Sequence, residues 1–180
     1  MDYSKRYEVY YGGAGSGKSK FVFQKIAVKA LTQVRKVLVV RKTAKSNQNS
    51  TYQTLIDTFS DFHLLDYIKI NKTTLTVTLP NGSTFLFSGL DDVEKLKSIA
   101  GITDIICEEC SELTLDDVSQ LDLRLRANTP NLQMFFMFNP VSKANWTYKR
   151  WFAEGAVVGD DTRILQTTYK DNKFLPPEYI

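Results

Sequence analysis

The chain has 180 residues, of which 43% are apolar and 24% charged, proportions that are typical of one soluble globular domain. No apolar run is long enough to span a membrane, the first residues do not resemble a signal peptide, and two cysteines do not form a disulfide scaffold, so we expect a cytoplasmic protein. Residues 1–50 hold 11 Lys and Arg against two Asp and Glu, within a net charge of +3. This basic segment suits a polyanion such as a nucleotide or DNA, or else it is a solvated helix that carries lysines. The cations that could meet such a polyanion are Lys20, Lys25, Lys29, Arg35, Lys36, Lys42 and Lys45.

The first half of the chain alternates between strand and helix patterns. RYEVYY (6–11) reads as a strand, and a glycine-rich stretch follows it directly. Residues 20–33 have apolar side chains at helical intervals, and KVLVVR (36–41) is an apolar run typical of a buried parallel strand. Residues 46–62 have a weaker helical pattern. The alternating stretch 74–89 predicts an antiparallel hairpin with a two-residue turn at Asn81-Gly82.

The second half continues this alternation, which predicts an α/β domain with a mainly parallel sheet flanked by helices and with an added hairpin. We expect residues 1–180 to form this single domain. The remaining elements are predicted to be a helix at 91–98, a strand at 104–108, a helix near 114–126, a strand at 132–138, a helix near 144–153 and a strand at 163–168.

The glycine-rich stretch fits the phosphate-binding pattern G-x-x-x-x-G-K-[ST], with a strand before it and a helix after it. Glycines allow the backbone to curl around phosphate oxygens, and the helix that starts near Lys18 adds its positive end. Lys18 would reach the β- and γ-phosphates, and Ser19 would ligate Mg²⁺. The alternative is a glycine-rich turn that merely ends in Lys-Ser. The predicted cradle comprises Gly12, Gly13, Ala14, Gly15, Ser16, Gly17, Lys18 and Ser19.

The sequence IICEEC (105–110) places two glutamates after a buried strand. We predict that Glu108 holds the magnesium shell and that Glu109 is the general base, because adjacent residues point to opposite sides of a strand and can take different tasks. A redox or zinc site at Cys107 and Cys110 is an alternative, but His63 is the only histidine and no second cysteine pair exists. Asp104 is a weaker candidate for the metal acid, since no apolar strand precedes it.

Two later stretches supply further polar candidates. Asn139 ends the apolar run MFFMFNP (134–140), so its amide either senses the γ-phosphate or the attacking water, or simply starts a turn. Arg124 and Arg126 in LDLRLRA (121–127) either complete the site of a neighbouring subunit or lie on a solvated helix face.

Together these stretches resemble the ATPase domain of the tailed-bacteriophage terminase large subunit, over nearly the whole chain. The resemblance implies a P-loop NTPase of the ASCE/RecA-like kind that uses Mg²⁺ and ATP. It implies Glu108 as the Walker B acid, Glu109 as the catalytic glutamate and Asn139 in the motif that couples hydrolysis to movement. The most specific matches are VLVVRKT (37–43), FSGLDDVEKLKSIAGI (87–102), IICEECSEL (105–113), LRLRA (123–127), MFNP followed by NW (137–146), and DNKFLPPEYI (171–180).

The same resemblance implies partners and a location. A ring, typically of five subunits, would dock on the portal protein of a procapsid in the host cytoplasm and translocate double-stranded DNA without sequence preference, together with a small terminase subunit. Arg124 or Arg126 would be the arginine that acts in trans.

The chain also departs from the family pattern. Many relatives carry arginine where Ala14 stands, so an arginine finger has to come from elsewhere. Only eleven residues precede Gly12, whereas relatives have more chain there to hold adenine. A nuclease domain normally follows the ATPase domain, so we expect no DNA cleavage from a chain that stops at Ile180. Two other functions stay open: a nucleotide-binding assembly module that is inactive outside the ring, and a P-loop kinase.

Overall fold

In the computed structural model, which describes residues 2–91, 96, 98–176 and 178, one twisted sheet forms the centre of the molecule. Its strands have short apolar sequences that alternate between the two faces of the sheet. Within the described residues they are β1 Tyr7–Tyr11, β2 Lys36–Arg41, β3 Lys69–Asn71, β4 Thr76–Thr78, β5 Thr84–Gly89, β6 Asp104–Glu108, β7 Gln133–Phe138 and β8 Thr162–Gln166.

The order of strands across the sheet is β3-β4-β5-β2-β6-β7-β1-β8. All neighbours from β5 to β8 pair in parallel, while β3 and β4 add an antiparallel edge. The predicted α/β class, with its mainly parallel sheet and its added hairpin, is therefore confirmed. Because β7 lies between β1 and β6, the carboxyl ends of these three strands are neighbours at one edge of the sheet.

The helices pack on both faces of the sheet. The helical stretch predicted at 46–62 is present from Ala44 to Asp61 and contains a π-helical turn at Asn47–Thr51, and the helix predicted near 114–126 already ends at Asp122. The predicted helix at 91–98 falls largely outside the described residues. Across the described residues, no helix combines the length and the apolar character that crossing a bilayer requires. The described α-helices are α1 Lys18–Thr32, α2 Ala44–Ser46, α3 Tyr52–Asp61, α4 Leu115–Asp122 and α5 Trp146–Trp151, and the 3₁₀ turns are Leu65–Tyr67, Cys110–Glu112 and Tyr169–Asp171.

The hairpin is present, but its predicted two-residue turn is wrong. Leu79 donates its amide to the Ser83 carbonyl at 2.8 Å, and the Gly82 amide donates to the Leu79 carbonyl at 3.0 Å, so three residues form the loop. Pro80 fixes the first of these positions, and Gly82 takes the left-handed conformation at the last, with φ 91°. The short strand β3 was not predicted, because its three residues are exposed and only Ile70 is apolar.

Two apolar layers cover the two faces of the sheet. The first layer packs side chains such as Val39, Ile106 and Phe135 against α1 and α3. The second layer packs their strand neighbours, such as Val40 and Phe136, against α4 and α5. Because successive strand residues alternate between the layers, the central strands are buried on both faces, as expected for a parallel sheet.

A buried polar network fixes α1 to the first face of the sheet. Lys25 donates to both carboxylate oxygens of Glu8, at 2.7 and 2.6 Å, and Lys29 donates to Asp104 Oδ1 at 2.5 Å. Gln133 joins the two pairs, since its Oε1 accepts from Lys29 at 2.7 Å and its Nε2 donates to Glu8 Oε1 at 3.1 Å. The network thus connects one helix to the first residues of β7 and β6 and to the second residue of β1.

This network changes the interpretation of the basic segment. Lys25, Lys29 and Arg35 are 2%, 0% and 2% exposed, and Arg35 Nη1 donates to the Pro130 carbonyl at 2.9 Å. These three cations therefore pair with buried acids or donate hydrogen bonds to backbone carbonyls, and the hypothesis that they face a polyanion is wrong. Burial lowers the pKa of Lys29 to about 8, and the charge of Asp104 opposes this shift.

We predict that Lys29→Met lowers the free energy of unfolding by about 3 kcal/mol, because removing one partner of a buried pair leaves the other uncompensated. The matched control is Lys20→Met on the same helix, where the pair with Asp61 is exposed and a loss below about 1 kcal/mol is expected. Urea unfolding at neutral pH measures both. Equal losses in the two variants would contradict a structural role for the network.

Candidate functional site

The glycine-rich loop begins directly after β1 and ends in α1. Glycine is required at Gly12, where φ is 154° and a Cβ atom would lie 1.7 Å from the Thr167 carbonyl oxygen. Gly17 precedes α1 in the left-handed conformation, with φ 80°. A side chain at Gly13 would meet no atom within 4 Å, so that glycine is not sterically required. The loop is thus shaped by its neighbours as well as by its own sequence.

Lys18 lies at the centre of this loop. Its ammonium group donates to the Gly12 and Gly13 carbonyls at 2.9 Å each, to Ser16 Oγ at 3.1 Å and to Asn139 Oδ1 at 2.9 Å. Burial lowers the pKa of Lys18, and the negative charges of Glu109 and Glu108 oppose that change. A desolvated cation held only by neutral oxygens is a strong receptor for an anion.

The two glutamates meet Lys18 and Asn139 in one pocket of about 230 Å³, which residues 14–20 of the loop also line. Glu108 ends β6, and Glu109 follows in the left-handed conformation, with φ 51° and ψ 43°. This conformation is uncommon outside glycine and redirects the chain, so both carboxylates reach the same pocket. The expectation that they point to opposite sides of the strand is therefore wrong.

Glu108 is 8% exposed, and its Oε2 is buried without a hydrogen-bond partner. Burial raises the pKa of Glu108, while a hydrogen bond from Ser19 and the charge of Arg41 oppose the shift and Glu109 adds to it. A hydroxyl and an unsatisfied carboxylate oxygen side by side suit Mg²⁺, which binds one or two protein oxygens and completes its shell with water and phosphate. The residues thus fit this ion.

Sequence reasoning missed Arg41, the last residue of β2. Its Nη1 donates to Ser50 Oγ at 2.7 Å, and its Nε lies 3.8 Å from Glu108 Oε2. Its place at the carboxyl end of β2 could have identified Arg41 from the sequence. The carboxyl ends of the adjacent parallel strands β2 and β6 lie at the same edge of the sheet. Arg41 is therefore a cation beside Glu108 that the sequence pattern did not single out.

The two cysteines belong to the core. Cys107 and Cys110 are free and buried in the second apolar layer, and burial raises the pKa of both thiols. Within the described residues, no three His, Cys, Asp or Glu side chains are grouped to hold a metal ion. The arrangement favours inert core cysteines over a redox or zinc site. Asp104 lies at the amino end of β6 and pairs with Lys29, away from the pocket.

The structure does not bring Arg124 and Arg126 to this pocket. Both follow the end of α4, and the intervening Leu125 carbonyl accepts from Arg6 at 3.2 Å, beside the amino end of β1. The pocket lies at the other end of that strand, roughly 15 Å away. Arg124 Nη1 also donates to the Leu96 carbonyl at 3.0 Å. Neither arginine therefore serves the pocket of its own chain.

A larger cleft of about 590 Å³ opens on the other side of the loop. Phe21 and Gln24 of α1 line one wall, and the rings of Phe21 and Tyr10 are 5.6 Å apart. Leu165 of β8 and Phe174 contribute further apolar surface, and Phe174 is 96% exposed. Unlike the acidic pocket, this cleft offers flat aromatic surface beside the start of α1.

Comparisons with known proteins agree with this geometry. A family model described as "Phage terminase large subunit" matches residues 4–180. The PBSX phage terminase large subunit of Bacillus subtilis (strain 168) is 31% identical over 196 residues, covering 100% of this chain and 45% of that protein. The chain thus spans less than half the length of the curated relatives that it matches.

Two solved structures share the fold. The large terminase of a thermophilic bacteriophage, solved in complex with ADP, has a TM-score of 0.75 at 16% identity, over 97% of this chain and 43% of that chain. The N-terminal domain of the DNA packaging ATPase from bacteriophage phi29 has a TM-score of 0.70 at 17% identity, over 96% of this chain and 94% of that chain.

We predict that Glu108→Gln raises the free energy of unfolding of the nucleotide-free protein by about 1 kcal/mol, or the melting temperature by about 2–4 °C. The substitution removes a buried charge that lies next to Glu109 and lacks a hydrogen-bond partner at Oε2. The exposed Glu112 provides the control, since Glu112→Gln should change neither quantity measurably. A lower melting temperature for Glu108→Gln would mean that its pairing with Arg41 outweighs the cost of its burial.

Proposed function

The chain belongs to the phage terminase large subunit family, and on that premise we propose that residues 1–180 are one P-loop ATPase domain that drives double-stranded phage DNA into a procapsid. The observation that carries this proposal is the meeting of Lys18, Glu108, Glu109 and Asn139 in one pocket beside the glycine-rich loop. The two structural relatives support it, as the thermophilic phage terminase was solved with ADP and the phi29 protein is a DNA packaging ATPase.

Binding of ATP exchanges the contacts of Lys18. Its ammonium group leaves the carbonyls of Gly12 and Gly13 for the β- and γ-phosphates, because a charged oxygen is the stronger acceptor. The backbone amides of the loop and the start of α1 add positive potential at the same place. Ser19 and Glu108 would hold Mg²⁺, which supplies the positive charge that neutralises the phosphate oxygens.

Hydrolysis requires a base beside the water that attacks the γ-phosphate, and the place of Glu109 in the lining of the pocket supports this role. Its carboxylate accepts a proton from the attacking water while the water oxygen bonds to the γ-phosphorus and the bond to the ADP oxygen breaks. The left-handed conformation at Glu109 holds this carboxylate in the pocket, apart from the metal-facing Glu108. Asn139 accepts a hydrogen bond from Lys18 in the free protein, and its amide would contact the γ-phosphate when ATP is bound.

The aromatic cleft is the site for the base of the nucleotide. Phe21 and Phe174 offer ring faces for stacking, and Gln24 offers an amide that can pair with the edge of a base. These residues come from α1 and from the segment after β8, so base binding does not depend on chain before β1.

The partners follow from the family. We propose a homo-oligomeric ring, typically a pentamer, that docks on the portal protein, works with a small terminase subunit and grips the DNA backbone non-specifically. Arg124 or Arg126 would reach the pocket of the adjacent subunit, since neither reaches its own. Lys42 and Lys45 remain exposed for phosphate contacts, whereas Lys25 and Lys29 are buried.

The position of these arginines also favours a second candidate, a nucleotide-binding module that turns over ATP only inside the ring. Nothing in the described residues favours a kinase, because the glutamate beside the Walker B acid faces the phosphate pocket, where a kinase would need room for an acceptor.

We predict that Glu109→Gln lowers phosphate release from Mg·ATP at least 100-fold and leaves ATP binding intact, because it removes the base and keeps the shape. Glu112→Gln, an exposed neighbour, should retain full turnover.

We also predict that wild-type turnover rises more than linearly with protein concentration. Arg124→Ala or Arg126→Ala should make this dependence linear. Full activity in Glu109→Gln would remove the catalytic assignment, and strictly linear turnover would remove the role of the arginines.

We further predict that Phe21→Ala weakens ATP binding about tenfold and leaves the binding of Mg·pyrophosphate unchanged, because the ring contacts the base and not the phosphates. Leu31→Ala, at an exposed position on the same helix, should leave the affinities for both ligands unchanged. Isothermal titration calorimetry measures both affinities. A parallel loss for pyrophosphate would place Phe21 in the phosphate site instead.

A further inference from the structure

Residues 167–172, which we call the brace, follow β8 and lie against the glycine-rich loop. Asn172 Nδ2 donates to the Gly15 carbonyl at 2.7 Å, and its side chain is 3.7 Å from the position that a Cβ of Gly17 would take. Thr167 Oγ1 donates to Ser16 Oγ at 3.1 Å. Two side chains of the brace are thus hydrogen-bonded to two consecutive residues of the loop, Gly15 and Ser16.

The brace has a defined shape of its own. The Thr167 amide donates to the Tyr11 carbonyl at 2.9 Å, which ties the brace to the end of β1. Thr168 and Asp171 form a reciprocal capping box, and the Asn172 amide donates to the Tyr169 carbonyl at 3.1 Å. The position of Asn172 is therefore fixed by contacts within the brace and with β1, independently of its contact with the loop.

The contact with Gly15 determines the orientation of one peptide group. In a trans peptide the carbonyl and the following amide point in opposite directions, and the described chain contains no cis peptide bond. Because the Gly15 carbonyl points to Asn172, the Ser16 amide points away from it. Asn172 lines the aromatic cleft and not the acidic pocket, so the Ser16 amide turns toward the side of the loop that binds phosphate.

We propose that Asn172 and Thr167 are positioning residues that hold the loop open for phosphate in the absence of nucleotide. This inference rests on the proposed function and assigns the brace a role in it. A loop with several glycines loses much conformational entropy when it becomes ordered around a ligand. Because the brace already orders part of the loop in the free protein, less entropy is lost when the nucleotide binds. Asn172 acts through Gly15 and need not touch the nucleotide.

The test compares Asn172→Leu with Asn81→Leu, a matched control far from the loop. Asn81 makes the same pair of bonds: its Nδ2 donates to the Ala30 carbonyl at 2.7 Å, and its Oδ1 accepts from the amide two residues later, as Asn172 Oδ1 does from Phe174. Leucine keeps the branching and the number of side-chain heavy atoms of asparagine and adds no charge near the phosphates. Calorimetry measures the affinity of each variant for Mg·pyrophosphate and for Mg·ADP.

We expect Asn172→Leu to lower the affinity for both ligands by a similar factor, on the order of tenfold, and Asn81→Leu to leave both affinities unchanged. Weaker ADP binding with unchanged pyrophosphate binding would mean that Asn172 contacts the base, and would overturn the inference while the proposed function stands. A wild-type chain that binds neither ligand would overturn both.

Thr167→Val gives a second, independent readout if Asn172→Leu does not fold. Valine keeps the branched shape of threonine and removes only the bond to Ser16. We expect pyrophosphate to bind about threefold more weakly to this variant. Unchanged affinity for pyrophosphate in Thr167→Val would contradict the proposal.

Discussion

The buried contact between α1 and the sheet sets the geometry on which the rest of the structure depends. Lys25 and Lys29 fix the second half of α1 to the amino-terminal parts of three strands, through Glu8, Asp104 and Gln133. Apolar packing leaves several helix registers possible, whereas charged pairs with short hydrogen bonds favour one of them. Since pairing in the interior offsets desolvation only partly, the network is better explained by the specificity of this register than by added stability.

This anchoring extends to the proposed nucleotide site, because α1 is one continuous helix that begins at that site. Lys18 and Ser19 form its first turn, and Glu108 ends the strand β6 whose first residue, Asp104, is fixed to Lys29. The pair of Lys29 with Asp104 fixes α1 to β6 at one end of both elements. The side chains of the candidate site lie at the opposite end of both. The distance between the lysine and the acid pair is thus determined by groups that take no part in the chemistry.

The two ends of the sheet differ in how far their carboxylates are satisfied. At the amino end, Glu8 and Asp104 have direct hydrogen-bond partners, although Arg35 Nε, 3.9 Å from Asp104 Oδ2, makes no hydrogen bond. At the carboxyl end, Glu108 Oε2 and Arg41 Nε are buried without hydrogen bonds, and Glu109 adopts a strained conformation. Unsatisfied and strained groups persist only where the surrounding structure holds them, and they concentrate at sites that bind ligands. The contrast distinguishes the end of the sheet that anchors α1 from the end that holds the candidate site.

Local patterns made much of this predictable from the sequence. The strands, the glycine-rich loop and the acid pair are each defined within a few neighbouring residues, so apolar runs and spacing identify them. The burial of Lys25 and Lys29 could not be predicted, because lysines on a helix suggest solvent and the partner acid of Lys29 lies 75 residues away. The contact of Asn172 with Gly15 spans 157 residues, and the left-handed Glu109 has no sequence signature. Long-range pairing therefore accounts for most of what was missed.

The charge balance of the pocket bears on the proposed contribution of a neighbouring subunit. Glu108 and Glu109 are the acids of the pocket, and Lys18 is the cation that contacts the loop carbonyls, while Lys20, which also lines the pocket, is paired with Asp61. Arg41 is held by Ser50 beside Glu108, and Ala14 supplies no charge. A nucleotide adds further negative charge, which grows at the γ-phosphate oxygens as the bond breaks. A cation from outside the chain would restore the balance, and such a contribution would make turnover depend on contact between subunits.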